Sequence, residues 1–142
     1  MKMLQLYVPE KAPEWGRIIR GIESIIPPER IRVLSTLSDL IGTLRSYGDC
    51  SNLFVFLFGS ESDLDGLAAV KEYVLSQQIV VVLRDTDRRL VSKVHSFRPR
   101  VLLLSPVHPD EVSAVVAKMM SLSPRKLELT GPMGEAGTVL QR

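Results

Sequence analysis

The sequence has little of what several protein classes require. It holds one cysteine in 142 residues, which excludes an internal disulfide. Its formal charge of +2 is too small to indicate nucleic-acid binding by itself. No apolar run approaches the roughly 18 to 20 residues that a membrane span needs, so the 45% of hydrophobic residues are expected to form a core. The short apolar run near the N-terminus is broken by Gln5 and does not resemble a signal peptide, so we expect a cytoplasmic protein without membrane association.

Sequence motifs for catalysis and metal binding are missing as well. Neither a Gly-x-Gly-x-x-Gly motif nor a P-loop follows any predicted strand. His95 and His108 have no cysteine or carboxylate at ligand spacing, so a surface or capping role is expected rather than zinc binding. Cys50 has no obvious base beside it and is interpreted as a small core residue. We therefore predict a protein that is not an enzyme and needs no metal or cofactor.

What the sequence does contain is a regular alternation of two hydrophobic patterns. Short apolar runs, typical of strands, occupy residues 3–8, 31–34, 53–58, 79–83 and 101–104. Apolar residues at helical spacing follow each of them, within residues 15–26, 37–47, 64–75, 90–97 and 112–119. The predicted third helix uses one apolar set: Leu64, Leu67, Ala68, Val74 and Leu75. The sequence thus predicts five strand–helix units.

Strands three to five are almost uniformly apolar, which is typical of parallel strands covered by helices on both faces. With right-handed crossovers, the simplest α/β topology is a flavodoxin-like, doubly wound (βα)5 parallel sheet of order 2-1-3-4-5. Periodicity reports burial and not neighbours, so other strand orders stay open. We assign residues 1–123 to this domain. Residues 124–142, which hold Gly131, Gly134 and Gly137, are expected to form a tail that contacts a neighbour if the chain is a homodimer.

Three stretches give this layout a familial resemblance. They are "SDLDGL" at residues 62–67, "IVVVL" at 79–83 and "VLLLSPVHPDEVSAVV" at 101–116. Together they resemble the turn after strand three, the fourth strand, and the fifth strand with its following helix in the receiver domains of bacterial two-component response regulators. The resemblance spans roughly residues 3 to 122. It implies a domain that accepts a phosphoryl group on an aspartate at the end of strand three, beside Mg²⁺.

The residues at the corresponding positions do not have that chemistry. The resemblance places the phosphoacceptor position at Phe58, or at Leu57 in the one other plausible register. It places the acidic pair at Pro9 and Glu10 and the hydroxyl position at Arg84. The position of the lysine at the end of strand five falls on Ser105, before Pro106. Because the nucleophile, the hydroxyl and the lysine are lost at three separate strand ends, no single shift of register restores them. A lone carboxylate at Glu10 is also a poor magnesium site.

An acidic stretch follows the third strand and has two interpretations. Glu61, Asp63 and Asp65 lie close together after Gly59, as they would at a metal site. They would equally occupy the first turn of a helix capped by Ser60 or Ser62, where the helix dipole favours each by about 0.3–1 kcal/mol. We favour the capping interpretation.

A basic stretch surrounds the fourth predicted helix. Residues 84–100 contain six basic residues against two acidic ones. Arg88, Arg89, Lys93 and Arg98 are the candidate partner face, because the resemblance places a dimerisation or docking surface there. The alternative is a solvated helix face capped by Asp85 or Asp87. Nucleic acid is not the expected partner, since Phe97 belongs to the apolar stripe and no other aromatic residue is interleaved.

Two functions of different classes follow. The first is a signalling module, a degenerate receiver that binds an unidentified protein partner without phosphorylation. The second is a small-ligand or nucleotide sensor in which Arg84 holds an anion at the carboxyl ends of the strands. The sequence leaves open whether the Ser105–Pro106 peptide bond is cis or trans.

Overall fold

The computed structural model of the protein describes residues 3–46, 52–84 and 87–120. Its centre is a five-stranded parallel sheet. The strands are β1 (Met3–Tyr7), β2 (Ile31–Leu34), β3 (Asn52–Phe58), β4 (Gln78–Leu83) and β5 (Val101–Leu104). They are arranged in the order β2-β1-β3-β4-β5, which confirms the predicted topology. The predicted tail, residues 124–142, lies outside the described residues, as do Cys50 and Asp85.

Six helices and one 3₁₀ turn surround the sheet in the described part of the chain. The helices are α1 (Pro13–Glu23), α2 (Leu37–Ser46), α3 (Glu61–Ala68), α4 (Lys71–Leu75), α5 (Arg88–His95) and α6 (Pro109–Met119). The 3₁₀ turn, Pro28–Arg30, leads into β2. None of these helices is both long and apolar enough to cross a membrane.

The prediction of one continuous third helix is wrong. The chain breaks after α3, and Val70 between α3 and α4 turns into the core with only 6% of its surface exposed. Lys71 stands where a continuation of the Leu64 and Leu67 stripe would need an apolar residue, so the break brings Val70 inward instead. Two residues predicted to lie on the apolar face, Ala68 and Leu75, are exposed.

The sheet separates two hydrophobic layers, and β3 contributes alternate side chains to each. Phe54, Phe56 and Phe58 pack with residues of α2, α3 and α5 on one face. Leu53, Val55 and Leu57 pack with α1 and α6 on the other. All seven residues of β3 are buried, which is the reason that the six residues after Asn52 are all apolar rather than alternating with polar ones.

The strands end together at one edge of the sheet, and the ladder continues one residue past several of them. The backbone N–H of Val8 donates to the carbonyl of Leu34. Likewise, the backbone N–H of Arg84 donates to the carbonyl of Phe58, and the backbone N–H of Ser105 donates to the carbonyl of Leu83, each at 2.9 Å. This edge therefore gathers the loops that follow β1, β3, β4 and β5, where ligands usually bind in open α/β sheets.

Candidate functional site

The end of β3 is filled by an aromatic cluster and not by a polar pocket. Phe58 is fully buried; its ring stacks on Phe56 at a centroid distance of 5.3 Å and meets Tyr7 edge-on at 6.0 Å. Leu57, the other register considered for the phosphoacceptor, is also fully buried and faces the opposite layer. In either register, the residue at the phosphoacceptor position is therefore a buried core side chain.

Arg84 is the cation of the strand-end edge, and its side chain reaches toward the loop after β1. Its Nη2 lies 3.7 Å from Oε1 of Glu10, and its Nη1 lies 3.8 Å from Oε1 of Glu14 at the start of α1. About a third to a half of each side chain is exposed, so water screens both ion pairs. The structure thus brings together two of the predicted pocket residues, Glu10 and Arg84, and adds Glu14, which sequence reasoning missed.

The guanidinium group of Arg84 also covers Gly59 and borders Trp15. A Cβ atom placed on Gly59 would lie 2.5 Å from Nη2 of Arg84 and 3.0 Å from Oε1 of Glu10. The Cζ atom of Arg84 is 5.9 Å from the Trp15 ring centroid, which is a cation–π distance. Trp15, near the start of α1, is only 2% exposed, and its Nε1 has no hydrogen-bond partner within the described residues.

A shallow, open cleft of about 210 Å³ lies beside Arg84. Trp15, Arg17, Ser105 and Pro106 are among the residues that line it. The Ser105–Pro106 peptide bond, left open by the sequence, is cis. Pro9, the remaining predicted pocket residue, is half-buried in the loop after β1.

The acidic stretch after β3 divides into one capping residue and two ion-pairing residues. Ser60 is the N-cap of α3, and the Asp63 carboxylate accepts hydrogen bonds from the backbone N–H groups of Gly59 and Ser60 at 2.8 and 3.2 Å. Asp63 is only 8% exposed. Glu61 and Asp65, by contrast, point toward α5. The capping interpretation is confirmed for Asp63, whereas the partners of the other two carboxylates could not be read from local sequence.

Those partners are residues of the candidate partner face on α5. Lys93 contacts both Glu61 and, at 3.6 Å, Asp65, while Arg89 lies 3.8 Å from Glu61. The hydrogen bond and charge of Lys93 lower the pKa of Glu61 below its ordinary value. The same hydrogen bond raises the pKa of Lys93 above its ordinary value, and the negative charges of Glu61 and Asp65 raise it further. Two of the four predicted face cations are therefore ion-paired with α3.

The other two predicted face cations, Arg88 and Arg98, are exposed at opposite ends of α5. Arg98 has a φ of 55°, a left-handed conformation that few non-glycine residues adopt, just after the helix ends. At the other end, the Asp87 carboxylate accepts the Arg89 backbone N–H at 3.0 Å, so Asp87 is an N-cap as one interpretation predicted.

Tyr7 and the histidines complete the titratable groups of interest. Burial raises the pKa of the Tyr7 phenol above its ordinary value, and the negative charge of Asp63 raises it further. Tyr7 was missed because it reads as one more apolar strand residue; its place at the last position of β1, beside the strand-end edge, was the available signal. His108 caps α6, with Nδ1 accepting the Asp110 backbone N–H at 3.1 Å, while His95 is exposed at the end of α5.

Comparisons with known proteins inform the fold. No family profile and no curated protein sequence matches the chain. Among solved structures, it is similar to the isolated receiver domain of RcsB from Salmonella enterica serovar Typhimurium, with a TM-score of 0.61 and 14% identity over 85% of this chain and 90% of that one.

Two further structures extend the comparison. A response regulator from Thermotoga maritima matches with a TM-score of 0.57 and 14% identity, over 86% of this chain and 100% of that one. The pilus assembly protein CpaE from Caulobacter crescentus matches with a TM-score of 0.51 and 16% identity, over 84% and 99%. At these identities the similarity establishes the fold and not the chemistry. The chain has the flavodoxin-like fold of response-regulator receiver domains.

Proposed function

We propose that this protein is a non-enzymatic, cytoplasmic signalling module of receiver fold, formed by residues 1–123 and followed by a tail at 124–142. In this proposal it acts by binding a protein partner, and no phosphoryl group is transferred to it. The observation that carries the proposal is Phe58: a fully buried ring, stacked within an aromatic cluster, occupies the position where the resemblance expects a phosphoacceptor. A phenyl ring cannot accept a phosphoryl group.

The surroundings of Phe58 support the same proposal. The hydroxyl position holds Arg84, whose guanidinium is ion-paired with Glu10, the single retained acidic residue. A carboxylate already paired with a guanidinium is a weaker ligand for Mg²⁺, which binds through carboxylate and water oxygens. The lysine position holds Ser105, which carries no charge to bind phosphoryl oxygens.

A phosphoryl mimic tests this part of the proposal. The RcsB receiver domain was solved in the presence of the phosphomimetic BeF₃⁻, so that protein serves as the positive control. Amide NMR spectra of this protein would be recorded with and without BeF₃⁻ and Mg²⁺. We expect the amides of Gly59, Arg84 and Ser105 to keep their shifts, while the control responds. Saturable shifts at these three amides would overturn the proposal.

The partner surface is proposed to be the exposed basic part of the α5 region. Arg89 and Lys93 are ion-paired with α3, whereas Arg88 and Arg98 form no ion pair with another residue of the described part of the chain. Charged side chains at an interface chiefly govern partner choice and association rate, and a basic surface fits an acidic partner. A homodimer is one form that such a contact takes.

A paired charge reversal tests that surface. The double variant Arg88→Glu/Arg98→Glu would be compared with Arg45→Glu, which reverses an exposed charge on α2. Quantitative affinity capture from the native host would identify proteins held by wild type and by Arg45→Glu but lost with the double variant. A partner retained equally by all three proteins would exclude this face.

The second candidate function, an anion or nucleotide sensor at Arg84, is favoured by the cleft of about 210 Å³ beside that residue. It is opposed by the carboxylates of Glu10 and Glu14, which would compete with an anion for the guanidinium. A thermal-shift screen with nucleotides separates the two functions, because a ligand present at 100 times its Kd stabilises the folded state by about 2.7 kcal/mol. No shift at such concentrations favours the protein-binding function.

A further inference from the structure

The side chain of Arg84 joins three loops that are far apart in sequence. Arg84 itself follows β4, and its guanidinium lies over Gly59 in the loop after β3. The same group is ion-paired with Glu10 in the loop after β1 and with Glu14 at the start of α1. Trp15, held in the core, borders the guanidinium at a cation–π distance. One cation therefore spans the middle of the strand-end edge.

Electrostatics explains why this position favours a cation. Two carboxylates, Glu10 and Glu14, each approach one guanidinium group within 4 Å. Within the described residues, Arg84 is the partner in both ion pairs that these carboxylates make. Without Arg84, two negative charges would face the same hollow and repel each other. The neutral strand-end core beneath, formed by Phe58, offers them no counter-charge.

The space beneath the guanidinium of Arg84 is left free by the missing side chain of Gly59. Glycine is often required where φ is positive, but none of the described glycines has a positive φ, so the backbone at Gly59 does not demand glycine. A Cβ at this position would nevertheless stand 2.5 Å from Nη2 and 3.0 Å from Cζ of Arg84, so a side chain at residue 59 would displace the guanidinium from its present place. The absence of a side chain at Gly59 is thus matched to the presence of the guanidinium.

We propose that Arg84 is a built-in cationic clamp, seated over Gly59, that holds the loops after β1, β3 and β4 in a single arrangement. The clamp is a conformational device that deepens the proposed function and rests on it: the strand-end edge is fixed by an internal cation, so its state does not depend on a bound cation or phosphoryl group. Arg84 supplies the positive charge, Glu10 and Glu14 form ion pairs with it, and the absence of a side chain at Gly59 leaves space for the guanidinium.

Two substitutions test the clamp by different routes. Arg84→Met removes the charge and keeps much of the side-chain length. Gly59→Ala keeps the arginine but displaces its guanidinium; this requires only the far end of a flexible side chain to move, so the fold is expected to survive. Arg17→Met, which removes a cation from the same cleft but from neither ion pair, is the matched control.

The measurement is amide hydrogen exchange of the free protein, followed by mass spectrometry. An exposed ion pair changes an equilibrium by about 1.4- to 5-fold, so losing both pairs should speed exchange in residues 8–14 and 58–62 by about 2- to 25-fold. We expect this acceleration in both Arg84→Met and Gly59→Ala, with the centre of β3 and β4 unchanged, and no acceleration in Arg17→Met.

Exchange that is unchanged at residues 8–14 in both test variants would overturn the clamp. Equal acceleration in Arg17→Met would also overturn it, because the effect would then come from the cleft and not from the two ion pairs. If Arg84→Met proves unfolded, Gly59→Ala decides alone. Because no partner or phosphoryl mimic is used, a failed clamp leaves the proposed function intact. A response of the wild-type protein to BeF₃⁻ would refute the proposed function and the independence of the strand-end edge from a phosphoryl group, whereas the exchange result for the two ion pairs of Arg84 would stand.

Discussion

Replacing Phe58 with aspartate restores the residue type that the resemblance expects, and the structure predicts that this variant is destabilised rather than activated. Phe58 has no exposed surface, stacks on Phe56 and meets Tyr7 edge-on. An aspartate there would leave most of the ring's volume empty. It would also place a carboxylate against aromatic rings instead of water.

The magnitude follows from two contributions. Truncating a buried phenylalanine costs about 3–5 kcal/mol. Leaving a buried polar group without a partner adds about 1–3 kcal/mol. The sum, about 4–8 kcal/mol, is comparable to the whole folding stability of an ordinary domain, about 5–15 kcal/mol. Phe58→Asp should therefore be largely unfolded or close to it at room temperature.

Urea denaturation followed by far-UV circular dichroism measures this cost. Phe58→Leu is the matched control, and it should lose only about 1–2 kcal/mol because it keeps an apolar side chain of similar size. The reasoning would be refuted if the free energy of unfolding of Phe58→Asp lay within about 1 kcal/mol of the wild-type value, since losses that small are typical of positions outside the core. Such a result would mean that residue 58 reaches water.

Three further predictions concern stability. Gly42 lies in α2 with no atom within 4 Å of an added Cβ, so Gly42→Ala should stabilise the protein by about 0.5–1 kcal/mol in the same urea assay; a loss of stability would show that the site is not open. Tyr7 has a raised pKa, so stability should fall as the pH rises above the ordinary phenol value of 10.0, where the unfolded chain loses its proton first. Tyr7→Phe should remove part of that fall, and an unchanged alkaline profile would contradict the burial assigned to the phenol. Glu61 has a lowered pKa, so it stabilises the folded state above the ordinary value of 4.5, and this stabilisation is lost as the pH falls through the lowered pKa. Lys93 has a raised pKa, so it stabilises the folded state below the ordinary value of 10.5, and this stabilisation is lost as the pH rises through the raised pKa. Glu61→Gln should flatten the acid limb of the stability profile, and an identical limb would exclude this ion pair as its source.

The fold was accessible from the sequence because it depends on periodicity. The almost uniformly apolar β3 and β4 indicated a parallel sheet covered on both faces, and the handedness of crossovers then restricted the strand order. The break between α3 and α4 was missed because Leu64, Leu67 and Val74 suit one helix if Lys71 is overlooked. Burial of Val70, a tertiary preference, decided the outcome.

The site was only partly accessible, for a different physical reason. The apolar residue at Phe58, where the resemblance expects an acceptor, concerns a single position, so the sequence was enough to predict it. The ion pairs of Arg84 with Glu10 and Glu14, and of Lys93 with Glu61, join residues from separate elements. Their side-chain directions depend on how loops and helices pack, which no local pattern reports. Only the structure shows that Gly59 has no positive φ and that a Cβ there would meet the guanidinium of Arg84.

The central claim is that this receiver fold does not accept a phosphoryl group, and intact mass spectrometry tests it most directly. Wild-type protein would be incubated with acetyl phosphate and Mg²⁺ beside the RcsB receiver domain as a positive control. We predict that the mass of this protein stays unchanged while the control gains a phosphoryl group. A phosphoryl adduct on this protein that hydroxylamine removes, as it removes acyl phosphates, would contradict the account.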